Sequence, residues 1–293
     1  MAGAVWGHLA GDALGVPYEF SGGGSISAVE WGHAGTHRQP PGTWSDDGAL
    51  MLALLDSLLT KGFDVEDQGR RAVAWMKEGA YTPGGVFDIG VATRGALNRI
   101  AAGGPAATAG GSDEHSNGNG SLMRILPIAL VGRGHDDRTL VDQAAEASAV
   151  THAHPRCRVT CALYTLLARN LLAGERDRET AFSRAVASLK PLLPDEWRAD
   201  CEILMSFPEP GGSGYVVDCF WSAWEAFSGS GNYRETIERA IRYGHDTDTT
   251  ACVAGGLAGI YWGIDAIPAE WLEGMRGREV VEPLVSGLTG DPD

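Results

Sequence analysis

Two short acidic motifs each combine hydroxyl side chains with two carboxylates. The first reads TWSDDG over residues 43–48, and the second reads HDTDTT over residues 245–250. Each stands directly before an apolar, charge-poor stretch, so each predicts the start of a buried helix. Clustered carboxylates and hydroxyls are the hard oxygen ligands that Mg²⁺, Mn²⁺ and Ca²⁺ prefer, whereas zinc prefers nitrogen and sulfur. If the two helix starts face each other, they supply enough ligands for two cations that share a bridging carboxylate, a common hydrolytic arrangement.

Helix capping is the alternative explanation for either motif taken alone. A carboxylate at a helix N-terminus is stabilised by the free backbone N–H groups and by the helix dipole. One cap does not require two aspartates, however, and neighbouring carboxylates repel each other unless a positive charge joins them. The same pattern at two helix starts therefore favours a metal site formed by four carboxylates, those of Asp46, Asp47, Asp246 and Asp248.

Helical periodicity covers most of the chain and predicts the elements that must position these motifs. Further helices are expected at 47–60, 88–101, 137–150, 157–173, 177–190, 215–227 and 233–243. Residues 249–262 carry no charged side chain and predict a central, buried helix. Its small residues form a seam at helical spacing that would let a neighbouring helix approach closely: Ala251, Ala254, Gly255, Ala258 and Gly259. We expect an all-α fold in one domain, residues 1–293.

The glycine-rich segments at 21–25 and 103–120 are predicted loops, and the second is long enough to be a functional loop. It ends in GNGSLMR, residues 118–124, ahead of an apolar stretch that starts at Leu122. Glycines let backbone N–H groups approach an anion, and a following helix N-terminus would add its dipole. A simple turn also explains this segment, because no predicted strand leads into it.

Composition excludes several classes of protein. The net charge is −15 and Lys and Arg form no cluster, so we expect no sequence-specific nucleic-acid binding. The five cysteines are scattered without a CxxC pair, which predicts buried thiols in a reducing, cytoplasmic compartment. No signal-peptide pattern opens the sequence, and no stretch has the roughly 18 apolar residues of a membrane span.

Four segments, taken together and in this order, resemble the ADP-ribosylglycohydrolase family. They are GDALGVPYE at 11–19, TWSDDGALMLAL at 43–54, GNGSLMRILP at 118–127, and the stretch from THAHP to GHDTDTTACVAGGLAG at 151–259. The resemblance implies a compact all-α domain with two Mg²⁺ or Mn²⁺ ions in a cleft, and a hydrolase that removes ADP-ribose by cleaving the C1″ glycosidic bond. The ligands it implies are Ser45, Asp46, Asp47, Asp246, Asp248 and Thr249.

The resemblance also implies roles for other residues. Glu19 matches a family glutamate near the scissile bond, as acid/base or substrate gate, and Asp47 and Asp246 are the catalytic aspartates. Asp12 is expected to brace its segment. The residues expected to contact ADP-ribose are Gly118, Asn119, Gly120, Ser121, Met123 and His152. Arg124 is left open between pairing with phosphate and bracing the loops.

The acceptor is the part of the function that the motifs specify least. The linkage could be to arginine, serine, an acetyl ester or a nucleobase; GNGSLMR favours the arginine-directed branch. The substrate would be an ADP-ribosylated protein or a small conjugate, and the enzyme a monomer.

A non-catalytic ADP-ribose-binding protein is the alternative, although both complete motifs and Glu19 argue against it. Ser45, where relatives often have Thr, and His245, where small or amide residues are common, are mild departures from the family pattern. A prenyl-diphosphate enzyme is disfavoured because SDDGAL lacks the later aspartate of a DDxxD motif.

Overall fold

The structure, a computed structural model, describes residues 1–33, 35–207 and 209–290. In these residues the backbone forms α-helices joined by loops and short 3₁₀ turns, with isolated β-bridges and no strand, so the all-α prediction is confirmed. The α-helices are Ala2–Gly15 (α1), Asp46–Lys61 (α2), Val65–Glu78 (α3), Val91–Ala101 (α4), Leu126–Val131 (α5), Asp137–Ala149 (α6), Pro155–Leu172 (α7), Arg178–Leu189 (α8), Arg198–Met205 (α9), Val216–Ser228 (α10), Tyr233–Arg242 (α11), Thr247–Trp262 (α12), Ala269–Gly274 (α13) and Arg278–Thr289 (α14).

Each helix that the periodicity predicts is present, with small differences at the ends. The largest is in α4, which begins at Val91 rather than at residue 88. Asp88 has a left-handed backbone with φ 55°, and Gly90 is extended, so neither can belong to the helix. The sequence does not predict α1, α3, α5, α9, α13 or α14.

Helix α12 is central and buried, as predicted. Every residue from Thr247 to Gly259 is buried, and the helix packs against α1, α2, α7, α10 and α11. These contacts fix the N-terminus of α12, which carries the second acidic motif, relative to the start of α2, which carries the first.

The small-residue seam of α12 meets a second seam on α1. Helix α1 has a glycine at every fourth position: Gly3, Gly7, Gly11 and Gly15. A Cβ at Gly7 would lie 2.6 Å from Gly255 O, and a Cβ at Gly255 would lie 2.3 Å from Gly7 O. Near the other end of the contact, a Cβ at Gly15 would lie 2.5 Å from Asp248 Cα. The two backbones therefore touch along antiparallel helices, and the contact ends at the DTDT motif.

Two further expectations concern thiols and the membrane. The five cysteines are buried free thiols, as predicted. Among the described residues, no helix is long and apolar enough to cross a bilayer.

Candidate active site

Two side chains hydrogen-bond the first backbone amides of α2. Ser45 occupies the N-cap position, and its Oγ accepts from Asp47 N at 3.2 Å. Asp12, on α1, accepts from Ser45 N at 2.9 Å and from Gly48 N at 2.8 Å. Asp12 is thus a brace, as expected, although the segment it braces is the start of α2. The carboxylates of Asp46 and Asp47 are not required to cap this helix.

The N-terminus of α12 is not capped by its aspartates either. Asp246 holds the N-cap position, but its side chain accepts no capping hydrogen bond. Asp246 Oδ2 instead accepts from Asn119 Nδ2 at 2.8 Å. Asp248 Oδ1 accepts from Thr249 N at 2.9 Å, whereas Asp248 Oδ2 is buried and has no hydrogen-bond partner among the described residues. Capping therefore does not account for the second motif.

The two acidic helix starts face each other. Thr249 Oγ1 donates to Asp47 Oδ1 at 3.3 Å, and Cys252 Sγ donates to Asp47 Oδ2 at 3.4 Å. Two sets of three carboxylates each bring oxygens within 4.8 Å of one another: Asp12, Asp47 and Asp248, and Glu19, Asp246 and Asp248. Asp248 belongs to both sets, so its carboxylate joins the two halves of the cluster.

Burial and mutual repulsion raise the pKa of several of these carboxyls. Burial first, and then the neighbouring carboxylates, hold the pKa of Asp46, Asp47 and Asp248 well above the usual value. Burial, together with the charges of nearby aspartates, raises the pKa of Glu19 to about 9. At neutral pH these carboxyls therefore favour binding a proton or a cation over remaining free anions.

The donor set fits divalent cations. Its atoms are carboxylate and hydroxyl oxygens, which are the ligands of Mg²⁺, Mn²⁺ and Ca²⁺. The buried, unpartnered Asp248 Oδ2 is the kind of atom that costs about 1–3 kcal/mol or more unless a proton or a cation satisfies it. The N-cap carboxylate of Asp246 also stays free of the helix it begins. The site can accordingly hold metal ions.

A cavity of about 290 Å³ opens beside this cluster. That volume is close to the lower end of the range for small-ligand sites, roughly 300–1,000 Å³. The predicted site residues that line it are Glu19, Asp46, Asp47, Gly118, Asn119, Gly120, Met123, His152, Asp246 and Thr249. Ser45, Ser121 and Asp248 do not line it. Ser45 caps α2, the Ser121 hydroxyl accepts from Ser148 Oγ at 2.9 Å, and Asp248 lies beneath the surface.

The GNGSLMR segment forms the cavity wall through its backbone. A Cβ at Gly120 would lie 2.7 Å from His152 Cε1, so only glycine fits this close approach. The expected helix N-terminus after the glycines is wrong, because Leu122–Arg124 is one 3₁₀ turn and Pro127 delays the α-helix to α5. Arg124 is buried and donates to the carbonyls of Gly120 and Ala147. It therefore braces the segment and is not available to phosphate.

His152 lies behind the glycines with its ring fixed. Its Nδ1 is hydrogen-bonded to Thr151 Oγ1 at 2.8 Å, and its imidazole is buried at the cavity wall. Burial, assisted by the charge of Arg124, lowers the pKa of His152 to about 3. The ring is thus a neutral hydrogen-bonding group that adds no positive charge to the cavity.

Sequence reasoning misses two residues that belong to this site. Asp88 lines the cavity, and burial raises the pKa of its carboxyl. Its position just before α4 repeats, more weakly, the signal of an aspartate ahead of a helix. His37 contacts Glu19 Oε2 through its Nε2. Its spacing from His33 resembles a helical metal pair, but Gly32 and Gly35 disfavour a helix there, and the described residues of the segment indeed form a loop.

Fold and site together define an all-α protein with an acidic, oxygen-donor cluster beside a glycine-walled small-ligand cavity. The chain belongs to the ADP-ribosylglycohydrolase family: the family model with that description matches residues 1–292. It is therefore an ADP-ribosyl glycohydrolase, and the resemblance seen in the four sequence segments is confirmed.

Individual relatives cover nearly the whole chain. ADP-ribosylarginine hydrolase Tri1 of Pseudomonas putida is 31% identical over 288 residues, which are 98% of this chain and 76% of that protein. The ADP-ribosyl-(dinitrogen reductase) glycohydrolase of Rhodospirillum rubrum is 29% identical over 279 residues, covering 92% and 88%. A solved structure described as an ADP-ribosylglycohydrolase-related protein complex matches with a TM-score of 0.80 and 35% identity, over 99% of this chain and 96% of that chain.

Proposed function

We propose that this protein hydrolyses the C1″ glycosidic bond between ADP-ribose and an arginine side chain, with the help of two divalent cations. The observation that carries the proposal is the convergence of two acidic helix starts, whose aspartates are not needed as caps, on one small-ligand cavity, with Asp248 Oδ2 buried and unpartnered among the described residues. A structural role alone gives no reason to bury so many carboxylates together, since each raises the free energy of ionising the others.

The proposed ligands are Ser45, Asp46, Asp47, Asp246, Asp248 and Thr249, and the proposed ions are Mg²⁺ or Mn²⁺. When bound, such ions orient the ribose hydroxyls and lower the pKa of a water molecule. They would also neutralise the buried carboxylates and bring their raised pKa values down again.

Side chains at the cavity wall can then carry the proton transfers. Glu19 is 5% exposed, and burial, the largest cause of its raised pKa, persists when ions are bound, so its carboxyl can hold a proton and act as the acid. The C1″–N bond breaks with its electron pair on nitrogen, which takes the Glu19 proton. The oxygen of a water bonds to C1″, and Asp47 or Asp246 accepts the proton that this water loses. The products are ADP-ribose and free arginine.

The glycine-walled side of the cavity suits the diphosphate and the inner ribose. The N–H group of Gly120, which lines the cavity, donates to no backbone carbonyl within the described part of the chain, outside the helices. A free amide of this kind can hydrogen-bond a phosphate oxygen without a basic side chain. The proposed contacts are Gly118, Asn119, Gly120, Met123 and His152, with Asn119 also holding Asp246 in place. Ser121, which does not line the cavity, supports this wall through Ser148.

The acidic lining of the cavity favours a cationic acceptor, with Asp88 as the carboxylate that would pair with it. Asp88 lies beside Glu19 at the cavity wall, and two relatives, from Pseudomonas putida and Serratia proteamaculans, are named ADP-ribosylarginine hydrolases. A guanidinium group pairs with a carboxylate through two parallel hydrogen bonds, which a serine or acetyl ester linkage could not form. We therefore propose arginine on an ADP-ribosylated protein or small conjugate as the acceptor.

The test measures ADP-ribose release from arginine-, serine-, acetyl- and nucleobase-linked substrates with Mg²⁺, with Mn²⁺ and with chelator. We expect metal-dependent release from the arginine linkage, reduced at least about 100-fold in Asp246→Asn. Asp177→Asn is the matched control, because Asp177 is also a helix N-cap but accepts a capping bond from Thr180 N far from the cavity.

Other outcomes have distinct meanings. Release from a different linkage alone would correct the acceptor and keep the hydrolase. Binding of ADP-ribose without release from any substrate would replace the proposal with a non-catalytic binding protein.

A further inference from the structure

Residues 30–33 and 35–38 fold over the residues that precede and include Glu19. Tyr18 OH accepts from Glu30 N at 2.7 Å, and Thr36 Oγ1 donates to the carbonyl of Glu19 at 2.8 Å. Gly35 packs so closely that a Cβ there would overlap Pro17 O. These contacts place the described part of the segment against Glu19 at the edge of the cavity.

His37 brings its imidazole to the Glu19 carboxyl. Its Nε2 contacts Glu19 Oε2 and lies 4.0 Å from Asp88 Oδ1. The ring packs between two phenylalanines, with centroid distances of 5.9 Å to Phe20 and 5.3 Å to Phe87, and its side chain is 15% exposed. Among the described residues, His37 is the one basic side chain within 4.0 Å of a carboxylate that lines the cavity.

We propose that His37 is a positioning residue, which donates from Nε2–H to Glu19 Oε2 and holds the Glu19 carboxyl in the cavity beside Asp88. The inference rests on the proposed function, in which Glu19 supplies the proton to the leaving nitrogen. When Oε2 of Glu19 accepts a hydrogen bond from His37, the proton of the Glu19 carboxylic acid is carried by the other oxygen, Oε1. His37 thus makes Oε1 the oxygen that protonates the leaving group.

The physical need for such a donor follows from the surroundings of Glu19. A glutamate side chain has three rotatable bonds, and ordering it costs about 1.5–2 kcal/mol of rotamer freedom. Asp88, whose charge raises the pKa of Glu19, offers no hydrogen-bond donor when it is ionised. The hydrogen bond from His37 offsets the ordering cost, because a donor at Nε2 stabilises only the rotamer that reaches it.

Two substitutions separate hydrogen bonding from packing. His37→Phe keeps an aromatic ring between Phe20 and Phe87 but removes the donor. His37→Gln loses the ring but places an amide N–H close to the position of Nε2. His33→Phe is the control on the same segment, since His33 stacks on Tyr18 with centroids 4.9 Å apart and makes no ion pair with a cavity carboxylate within the described residues.

We expect kcat for arginine-linked ADP-ribose to fall at least about 10-fold in His37→Phe, within the roughly 10²–10⁴-fold that acid–base groups contribute. KM and the affinity for free ADP-ribose, measured by calorimetry, should change less than about 2-fold. His37→Gln should recover most of kcat, and His33→Phe should equal the unmodified protein. A packing role predicts the reverse order, with His37→Phe active and His37→Gln impaired, and that order would overturn the inference.

A second substrate tests the link to the leaving group. An ADP-ribose conjugate with a 4-nitrophenyl leaving group needs no proton from the enzyme. On this substrate, the ratio of kcat for the unmodified protein to kcat for His37→Phe or Glu19→Gln should therefore approach one. Equal defects on the two substrates would also overturn the inference. If the unmodified protein releases nothing from either substrate, the proposed function fails instead; these two failures are therefore distinguishable.

Discussion

The contact between α1 and α12 offers the sharpest test of how the fold positions the site. In Gly255→Ala, the new Cβ would lie 2.3 Å from Gly7 O, against an ordinary contact distance of about 3.5 Å. The Gly7 oxygen belongs to the backbone of α1, and the new Cβ is bonded directly to the backbone of α12. Rotation of a side chain therefore cannot relieve the clash. The two helices must separate locally by about 1 Å.

The expected loss of stability follows from two opposing effects. Overpacking of this kind costs about 1–3 kcal/mol, and the upper end applies here because a backbone must move. Alanine recovers about 1 kcal/mol over glycine through helix propensity. The net loss should be about 2 kcal/mol in the free energy of unfolding, or roughly 3 °C in Tm for a chain of this size.

The same shift should weaken metal binding. Asp248 lies in the first turn of α12, whereas Asp12 of α1 holds the start of α2, which carries the proposed ligands Asp46 and Asp47. Moving α1 away from α12 therefore separates proposed ligands from one another. Metal sites tolerate ligand displacements of about 0.2 Å, so a 1 Å separation should reduce the affinity for Mn²⁺ at least about tenfold. Denaturant unfolding and calorimetric titration with Mn²⁺ measure the two effects on the same sample.

Gly287→Ala provides the matched control. Gly287 is exposed in α14, and the nearest atom to its new Cβ would be Leu59 Cδ1 at 3.5 Å, an ordinary contact. This variant should gain up to about 1 kcal/mol and bind Mn²⁺ normally. If Gly255→Ala behaves in the same way, close approach of α1 and α12 is not what holds the site together.

The remaining predictions concern the charged groups. Asp248→Asn should stabilise the metal-free protein, because an amide is neutral in this buried site without binding a proton, and should abolish the rise in Tm on adding Mn²⁺; a retained rise would exclude Asp248 as a ligand. Because the folded-state pKa of Glu19 is raised from 4.5 to about 9, and those of Asp46 and Asp47 are also raised, the metal-free folded state binds protons more tightly than the unfolded chain. The free energy of unfolding of the metal-free protein should therefore fall as the pH rises from about 5 to 9, while the Mn²⁺-induced rise in Tm grows. Scanning calorimetry across this pH range measures both quantities, and a stability that rises with pH would contradict the prediction. Arg124→Met should weaken ADP-ribose binding about tenfold without changing Mn²⁺ affinity, because the carbonyls of Gly120 and Ala147 lose the donor that holds the cavity wall. An unchanged ADP-ribose affinity in a calorimetric titration would show that Arg124 does not brace the binding site.

Local sequence patterns determined much of the fold. The apolar periodicity of α2, α6, α7 and α11 predicts these helices because the signal lies within a few turns. The same reasoning misses α1, whose four regularly spaced glycines lower helix propensity. Those glycines are explained only by the backbone of α12, more than 200 residues away in the sequence.

In the candidate site, too, some features follow from local sequence and others only from tertiary contacts. Residue types and spacing single out the two acidic motifs, because hydroxyls and paired carboxylates at a helix start are a local signal. Whether Asp246 caps its helix or faces a cavity depends on Asn119, which takes its Oδ2. His37 reaches Glu19 only because a loop without periodicity folds back over it. The sequence thus specifies the oxygen-donor chemistry of the candidate site, while tertiary packing decides which carboxylates meet and which groups hold them.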